Sequence, residues 1–326
     1  MLFFFRIIGH PAINTWNTKS KSVEVLDVMP YVKFKPNTLV RMQDGRGDDF
    51  TYQWLTDDFG YKNDVSLKLS KKADFIALGD SFTEGMGVSV SNIWSSKISK
   101  NSSFRVYNAG VQGYSVSQIH ATYKNIMKKI SHKGIIIGTL PNIYKREKFF
   151  DKSKNIANHG TGGIKYIADR EKSMHNGQNS FLVAFMRAVI IKLKEDTQRT
   201  EESKKECKTE NKIMSKSELL ANLNWKSYIY YLNEIIKIAL NNGKRIILVK
   251  FPTKCEVKSN SESQYYNQLN LLQLELLSEV EIIDILPYLK DDWNLSKKFM
   301  YFSKDGHMNE YGNKIVSDFL IKYLKK

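Results

Sequence analysis

The chain has 326 residues, of which 42% are hydrophobic and 26% charged, with 50 Lys and Arg against 34 Asp and Glu and a formal net charge of +16. That balance excludes a disordered or collagen-like chain and leaves room for a sizeable core. The positive charge favours acidic partners, although a chain rich in Lys, Asn and Ile can carry it with no binding partner at all; no basic run interleaved with stacking aromatics stands out, so a nucleic-acid binder with an unrelated α/β fold is the least favoured reading.

The N-terminus reads MLFFFRIIGHP. Its apolar run, Leu2 to Ile8, is broken by Arg6 and is far shorter than the ~20 residues a membrane span requires. It also lacks the basic start and small-residue cleavage site of a secretory signal. It reads as the tail end of an anchor or equally as a short strand or surface helix, which leaves membrane association through the N-terminus open. Residues 1–70, punctuated by Pro30, Pro36, Gly45, Gly47 and Gly60, read as an N-terminal extension packed on a core. Two cysteines, Cys207 and Cys255, are too few for a disulfide framework and are not at metal-ligand spacing, which leaves the compartment open.

From Ala73 the pattern changes. Phe75–Asp80 is a short apolar run ending in a glycine turn, the mark of a buried strand. Further strands are predicted at Phe104–Ala109, Gly134–Leu140, Arg245–Phe251 and Val280–Leu286. Helical periodicity lies between them. Val116, Ile119, Tyr123, Ile126, Met127 and Ile130 recur every three or four residues, and Ser115 with Gln118 forms a capping box. Trp225, Tyr228, Tyr231, Leu232, Ile235, Ile236 and Ala239 mark another helix, and Leu269–Leu277 and Tyr311–Leu324 complete the set. Strands alternating with helices imply a parallel sheet of about five strands covered on both faces. The stretch 145–222 interrupts the alternation as an insertion. Within it, Phe181–Leu193 is nearly all apolar and reads as a buried helix, with a lid or membrane-surface contact as alternatives. Residues 195–217 read as a solvated linker.

Two segments carry chemistry. Gly79-Asp80-Ser81-Phe82-Thr83-Glu84-Gly85 follows the first predicted strand of the sheet, where sites form beyond the carboxyl ends of parallel strands. A serine hydroxyl needs a base to take its proton, and histidine is the usual one near neutral pH. Near the C-terminus stands Asp305-Gly306-His307-Met308-Asn309-Glu310-Tyr311-Gly312, with a carboxylate two residues before an imidazole that it could orient. His10, His120, His132, His159 and His175 show no metal spacing, and the adjacent Asp291 and Asp292 make a poor acid/base pair.

Together GDSFTEG, the segment NAGVQGYS and DGHMNEYG, in that order, resemble the first, second and fifth blocks of the SGNH/GDSL hydrolase superfamily. The resemblance covers roughly Ala73–Leu324 apart from 145–222. It implies a flavodoxin-like three-layer α/β/α domain over 71–326, carrying the insertion, and serine-dependent hydrolysis or transfer of an acyl ester with no cofactor and no metal. It assigns Ser81 as nucleophile, His307 as base and Asp305 as the carboxylate that orients it. The oxyanion donors it implies are the backbone N–H groups of Ser81 and Gly113 and the side-chain amide of Asn142. The third block departs from the usual Gly-x-Asn-Asp, reading Leu140-Pro141-Asn142-Ile143, and the last block has Asp two residues before His where three is usual. The resemblance is strongest to exported or envelope-associated members, some acting on acylated carbohydrate. An acetylated or otherwise acylated sugar is therefore the expected substrate, with a lipid ester as the rival and a non-catalytic glycan- or partner-binding module as the alternative from another class.

Overall fold

The computed structural model describes residues 22–26, 28–30, 32–43, 50–64, 71–141, 143–149, 215–258, 268–303 and 305–326. The N-terminal apolar run, Asn142, Phe181–Leu193 and nearly all of the predicted insertion lie outside them.

The N-terminal segment forms two antiparallel ribbons. β1 (Val23–Val25) pairs with β2 (Val32–Phe34), and β3 (Leu39–Gln43) with β4 (Thr51–Leu55). The central sheet then begins with β5 (Phe75–Leu78), followed by α1 (Ser81–Glu84), α2 (Trp94–Asn101), β6 (Val106–Asn108), α3 (Val116–Ile126) and β7 (Gly134–Thr139). A 3₁₀ turn covers Ile143–Phe149. Beyond the insertion come α4 (Lys216–Ala221), α5 (Leu223–Asn241), β8 (Arg245–Lys250), α6 (Lys254–Lys258), α7 (Leu272–Glu275), β9 (Glu281–Asp284), α8 (Leu286–Ser296) and α9 (Glu310–Leu324).

Strands β6-β5-β7-β8-β9 form one sheet in that order, and every pair is parallel. The order places β5 at a topological switch: its neighbours β6 and β7 are the next two strands in the chain, one on each side. A crevice opens beyond the carboxyl ends of strands at such a point. All residues of β5 and β7 are buried, as a strand covered on both faces requires, which explains their unbroken apolar runs. α3 packs beside α5, and α2 beside α9, giving helical layers over a five-stranded sheet in a three-layer α/β/α fold. α5 buries Trp225, Tyr228, Ile229, Leu232, Ile235, Ile236 and Ala239, and Asn222 caps it, its Oδ1 accepting from Asn224 N and Trp225 N at 2.9 and 3.2 Å. The helix expected over Leu269–Leu277 is shorter, a 3₁₀ turn at Leu269–Leu271 running into α7.

The ribbons are fastened to this core by polar contacts. Asn63 Nδ2 donates to Asn108 O (2.8 Å), and Asn108 N donates back to Asn63 Oδ1 (2.7 Å), so residue 63 completes the outer edge of β6. Asp57 accepts from the backbone of Phe59 and Tyr61, from Asn63 Nδ2 and from the Tyr107 hydroxyl. Tyr114 OH donates to Val32 O, and Gln118 Nε2 to Pro30 O. Cys255 lies in α6, and the other cysteine, Cys207, lies outside the described residues. Among the described residues no helix is long and apolar enough to cross a membrane.

Candidate active site

Ser81 follows the end of β5 by three residues and opens α1. Asp80 caps that helix: its Oδ1 accepts from Phe82 N at 3.1 Å. The short helix is closed by Gly85, which adopts a left-handed conformation at φ 80°. Trp94 Nε1 donates to Phe82 O at 3.1 Å, fixing α1 against α2.

His307 arrives from a loop held at both ends. Phe302 N donates to His307 O and Asn309 N to Met300 O, each at 3.0 Å. Tyr301 and Met308 form an antiparallel bridge, and Asn309 Nδ2 donates to the carbonyls of Phe299 and Tyr301. Asn309 Oδ1 then caps α9 through Gly312 N at 3.0 Å. The imidazole packs on the Phe82 ring, with centroids 5.3 Å apart.

The two segments, 226 residues apart, meet. His307 Nε2 lies 2.7 Å from Ser81 Oγ, and His307 Nδ1 is bonded to Asp305 Oδ1. The same Asp305 oxygen accepts from His307 N at 2.8 Å. The two-residue spacing therefore suffices: the carboxylate folds back over its own turn to reach both the amide and the ring. Burial works against ionisation of Asp305, but the bonds from His307, the charge of that ring and nearby Lys254 prevail and hold its carboxyl below the usual carboxylate value. Ser81 is buried (4% exposed), whereas the His307 and Asp305 side chains are about one-fifth exposed, so the chain of hydrogen bonds reaches solvent on the histidine side.

The second-block segment sits against the Ser81 turn. Val111 N donates to Gly79 O at 3.1 Å and Gln112 N to Glu84 Oε2 at 2.5 Å. Val111-Gln112-Gly113-Tyr114 is a β-turn, with Tyr114 N donating to Val111 O at 3.3 Å. Gly113 at φ 75° occupies the position where a type II turn requires positive φ. Among the described residues, the backbone N–H groups of Ser81 and Gly113 make no hydrogen bond. Asn142, the third expected donor, lies outside the described residues. Its neighbours are anchored nonetheless: the Thr139 and Tyr228 hydroxyls are 2.8 Å apart, and the buried Tyr144 ring meets Trp225 edge-on at 5.5 Å.

Four residues that the motif reading passed over shape the site. Arg146 Nη1 donates to Asp80 Oδ2 (2.8 Å) and to Tyr114 O (3.0 Å). Glu147 Oε1 accepts from Val116 N (2.6 Å) and Ser117 N (3.2 Å) at the start of α3, a favourable place for a carboxylate. Its burial nonetheless raises its pKa. Gln118 Oε1 accepts from Ser115 N at 3.0 Å, the half of the capping box made by the glutamine, while the Ser115 hydroxyl faces Ser117 Oγ at 2.8 Å. Lys62 is buried beside α1, whose last residue, Glu84, is buried as well. Arg146 and Glu147 had been grouped with the insertion from residue 145, and nothing in their spacing marks them. Glu84 lies within GDSFTEG, but nothing local in the motif marks its partner Gln112.

The remaining candidates stand apart from this chemistry. His132 bonds Ile130 O and the Tyr123 hydroxyl, and His120 packs on Tyr231. Asp292 accepts from Tyr311 OH at 2.8 Å and from Ser296 Oγ. Among the described residues no group of three His, Cys, Asp or Glu is placed to hold a metal ion.

No protein-family model and no curated protein sequence matches the chain. Solved structures do resemble it. A lipolytic protein of the G-D-S-L family from Desulfitobacterium hafniense DCB-2 shares 12% identity over 78% of this chain and 99% of its own, with a TM-score of 0.42. A member of the same lipolytic family from Veillonella parvula DSM 2008 shares 13% over 77% and 98%, with a TM-score of 0.41. The family 3 carbohydrate esterase of Clostridium thermocellum shares 12% over 78% and 100%, with a TM-score of 0.37.

Proposed function

We propose that the chain is a serine-dependent acyl ester hydrolase or O-acyltransferase in which Ser81, His307 and Asp305 act as a triad. The observation that carries this reading is the 2.7 Å contact of Ser81 Oγ with His307 Nε2, on a ring whose other nitrogen is bonded to Asp305. An Nδ1–H donated to the carboxylate leaves the Nε2 lone pair facing the hydroxyl, the tautomer a general base needs.

Nε2 takes the hydroxyl proton as Oγ bonds to the ester carbonyl carbon. The carbonyl oxygen becomes an oxyanion, received by the N–H groups of Ser81 and Gly113, which make no hydrogen bond among the described residues, and by Asn142 as the third donor. The carbon–oxygen bond to the leaving alcohol then breaks, and His307 Nε2–H protonates that alcohol. Water or a second hydroxyl, deprotonated by the same nitrogen, attacks the acyl-serine and releases Ser81. Water makes the chain an esterase; a sugar hydroxyl makes it a transferase. An acylated carbohydrate is the substrate class we favour, on the motif resemblance and on the net charge of +16, which would attract an acidic glycan.

The test is covalent labelling by a fluorophosphonate, followed by hydrolysis of nitrophenyl acetate and of a longer-chain nitrophenyl ester. Labelling that disappears in Ser81→Ala and weakens in His307→Ala is expected, with the short ester preferred. Wild-type protein that resists the probe and cleaves neither ester would overturn the enzyme reading. A preference for the long chain would overturn the carbohydrate assignment and leave a lipid esterase.

A further inference from the structure

Glu84, the last residue of α1, has no task in the reaction as written, yet it is 1% exposed and carries a carboxyl group into the interior. Its Oε2 accepts the Gln112 N–H at 2.5 Å, while Oε1 has no hydrogen-bond partner among the described residues. Burial raises its pKa to about 7, opposed first by the charge of Lys62 and then by the Gln112 bond. Lys62 comes from the N-terminal segment. Its Nζ donates to Gly85 O and Val88 O, both at 2.7 Å, and lies 4.2 Å from the Tyr52 ring centroid and 4.9 Å from that of Trp54.

Removing a carboxyl group and an amine from water is costly, and an apolar pair of similar volume often serves stability as well or better. The geometry shows what this pair holds. The turn 111–114 is pinned at Val111 to Gly79, just ahead of Ser81, and at Gln112 to Glu84, at the end of the helix Ser81 opens. The next N–H along the turn is that of Gly113. Lys62 meanwhile binds the carbonyl of Gly85, immediately after the helix, and that of Val88, three residues further on, so the helix end that carries Glu84 is held from the N-terminal segment.

We infer that Glu84 is a positioning residue for acyl transfer: through Gln112 it sets the turn bearing the Gly113 N–H at a fixed place relative to Ser81, with Lys62 steadying the helix end from which it reaches. This rests on the acyl-transfer reading above. The one hydrogen bond of the Glu84 carboxyl among the described residues goes to the Gln112 amide, and its charge is also felt at His307.

The test compares Glu84→Ala, Glu84→Gln and Gln112→Pro with the wild type, by kcat and KM on nitrophenyl acetate and by thermal midpoint. Proline suits the second position of a type II turn and deletes only the backbone donor and the side chain. A displaced oxyanion donor should cost somewhat less than the ~10²–10³-fold of a deleted one. Glu84→Ala is therefore expected to lower kcat by about 10–100-fold with KM within about twofold. Glu84→Gln, whose amide oxygen accepts the same N–H, is expected to recover most of it. Gln112→Pro should match the alanine variant, and the double variant should be no worse than either single, because both remove one contact. If Glu84→Ala does not fold, Glu84→Gln and Gln112→Pro carry the comparison. A kcat within about threefold of wild type in Gln112→Pro, or losses that multiply in the double variant, would overturn the inference. Wild-type protein that neither cleaves the ester nor takes the fluorophosphonate would instead remove the acyl-transfer reading, and this inference with it.

Discussion

Arg146 Nη1 lies 2.8 Å from Asp80 Oδ2, so the 3₁₀ turn after β7 grips the residue immediately before Ser81. The same nitrogen reaches Tyr114 O, one residue past Gly113. One guanidinium therefore ties together three segments: the Ser81 turn, the Gly113 turn and the stretch just beyond Asn142.

Arg146→Met tests that tie. The Asp80 side chain is 2% exposed, and losing its partner leaves a nearly buried carboxylate with only its cap bond to Phe82 N. Breaking a buried pair on one side costs about 3–5 kcal/mol; because Arg146 itself is 29% exposed, we expect about 2–3 kcal/mol, read as a fall in the urea midpoint with m unchanged. The rate of fluorophosphonate labelling should fall as well. Unchanged stability would show that the ion pair is an ornament of the surface.

The hydrogen-bonded chain from Ser81 to Asp305 predicts graded losses. Ser81→Ala should abolish labelling. Asp305→Asn keeps the shape but offers an amide where Nδ1–H needs an acceptor, favouring the wrong ring tautomer, and should lower kcat by about 10³–10⁴-fold with little change in KM. Steady-state kinetics on nitrophenyl acetate decide this. An asparagine variant within tenfold of wild type would mean that the two-residue spacing yields a contact without catalytic weight.

The parallel sheet was legible in the sequence because β5, β7 and β8 are buried on both faces and so read as unbroken apolar runs ending near glycine or proline. Ser81 and His307 were legible because each sits in a short local motif. Arg146, Glu147 and Lys62 were not. Their roles depend on partners distant in the chain (Asp80, Val116 and Val88), and a single charged residue on an irregular segment has no periodicity to betray it. Glu84 shows a different failure. It lies inside the motif, but only the fold brings Gln112 N to its carboxylate. The helix expected over Leu269–Leu277 is α-helical only at Leu272–Glu275, and Leu274, which satisfies the apolar pattern, is 70% exposed.

Glu84 also predicts a dependence of stability on pH. Burial raises its folded pKa to about 7 against an ordinary value of 4.5, so the folded state holds the extra proton and the contribution of Glu84 to stability declines as pH rises from about 4.5 to about 7. Lys62, pushed down to about 7 by burial, opposes this only weakly below that point. Glu84→Gln lacks the titration and leaves Lys62 without its counter-charge, which lowers its protonation further. The thermal midpoint of Glu84→Gln relative to wild type should therefore rise between pH 5 and pH 7. Asp80, His307, Tyr52 and Tyr114 also feel the Glu84 charge, so the difference reports the titration of Glu84 together with the response of these neighbours. A gap independent of pH would mean that Glu84 titrates as an ordinary carboxylate.

Gly87 links the N-terminal ribbon to the histidine loop. Its φ of 89° is one that L side chains rarely adopt, and a Cβ there would collide with the Phe302 ring and stand 3.0 Å from Phe50 Cδ1. Phe50 and Phe302 already pack at 4.7 Å between centroids, so neither ring can retreat freely. Phe302 N–H is bonded to His307 O, so a push on that ring is passed to the backbone of His307. Gly87→Ala is expected to cost about 1–3 kcal/mol of stability from the backbone alone. It should also slow fluorophosphonate labelling of Ser81 by more than the loss of folded protein accounts for, because a His307 displaced by a few tenths of an ångström no longer meets Oγ at 2.7 Å. Measuring the labelling rate at 10 °C, where the variant stays folded, separates the two effects. A wild-type rate there would show that the loop yields at Phe302 without moving the imidazole.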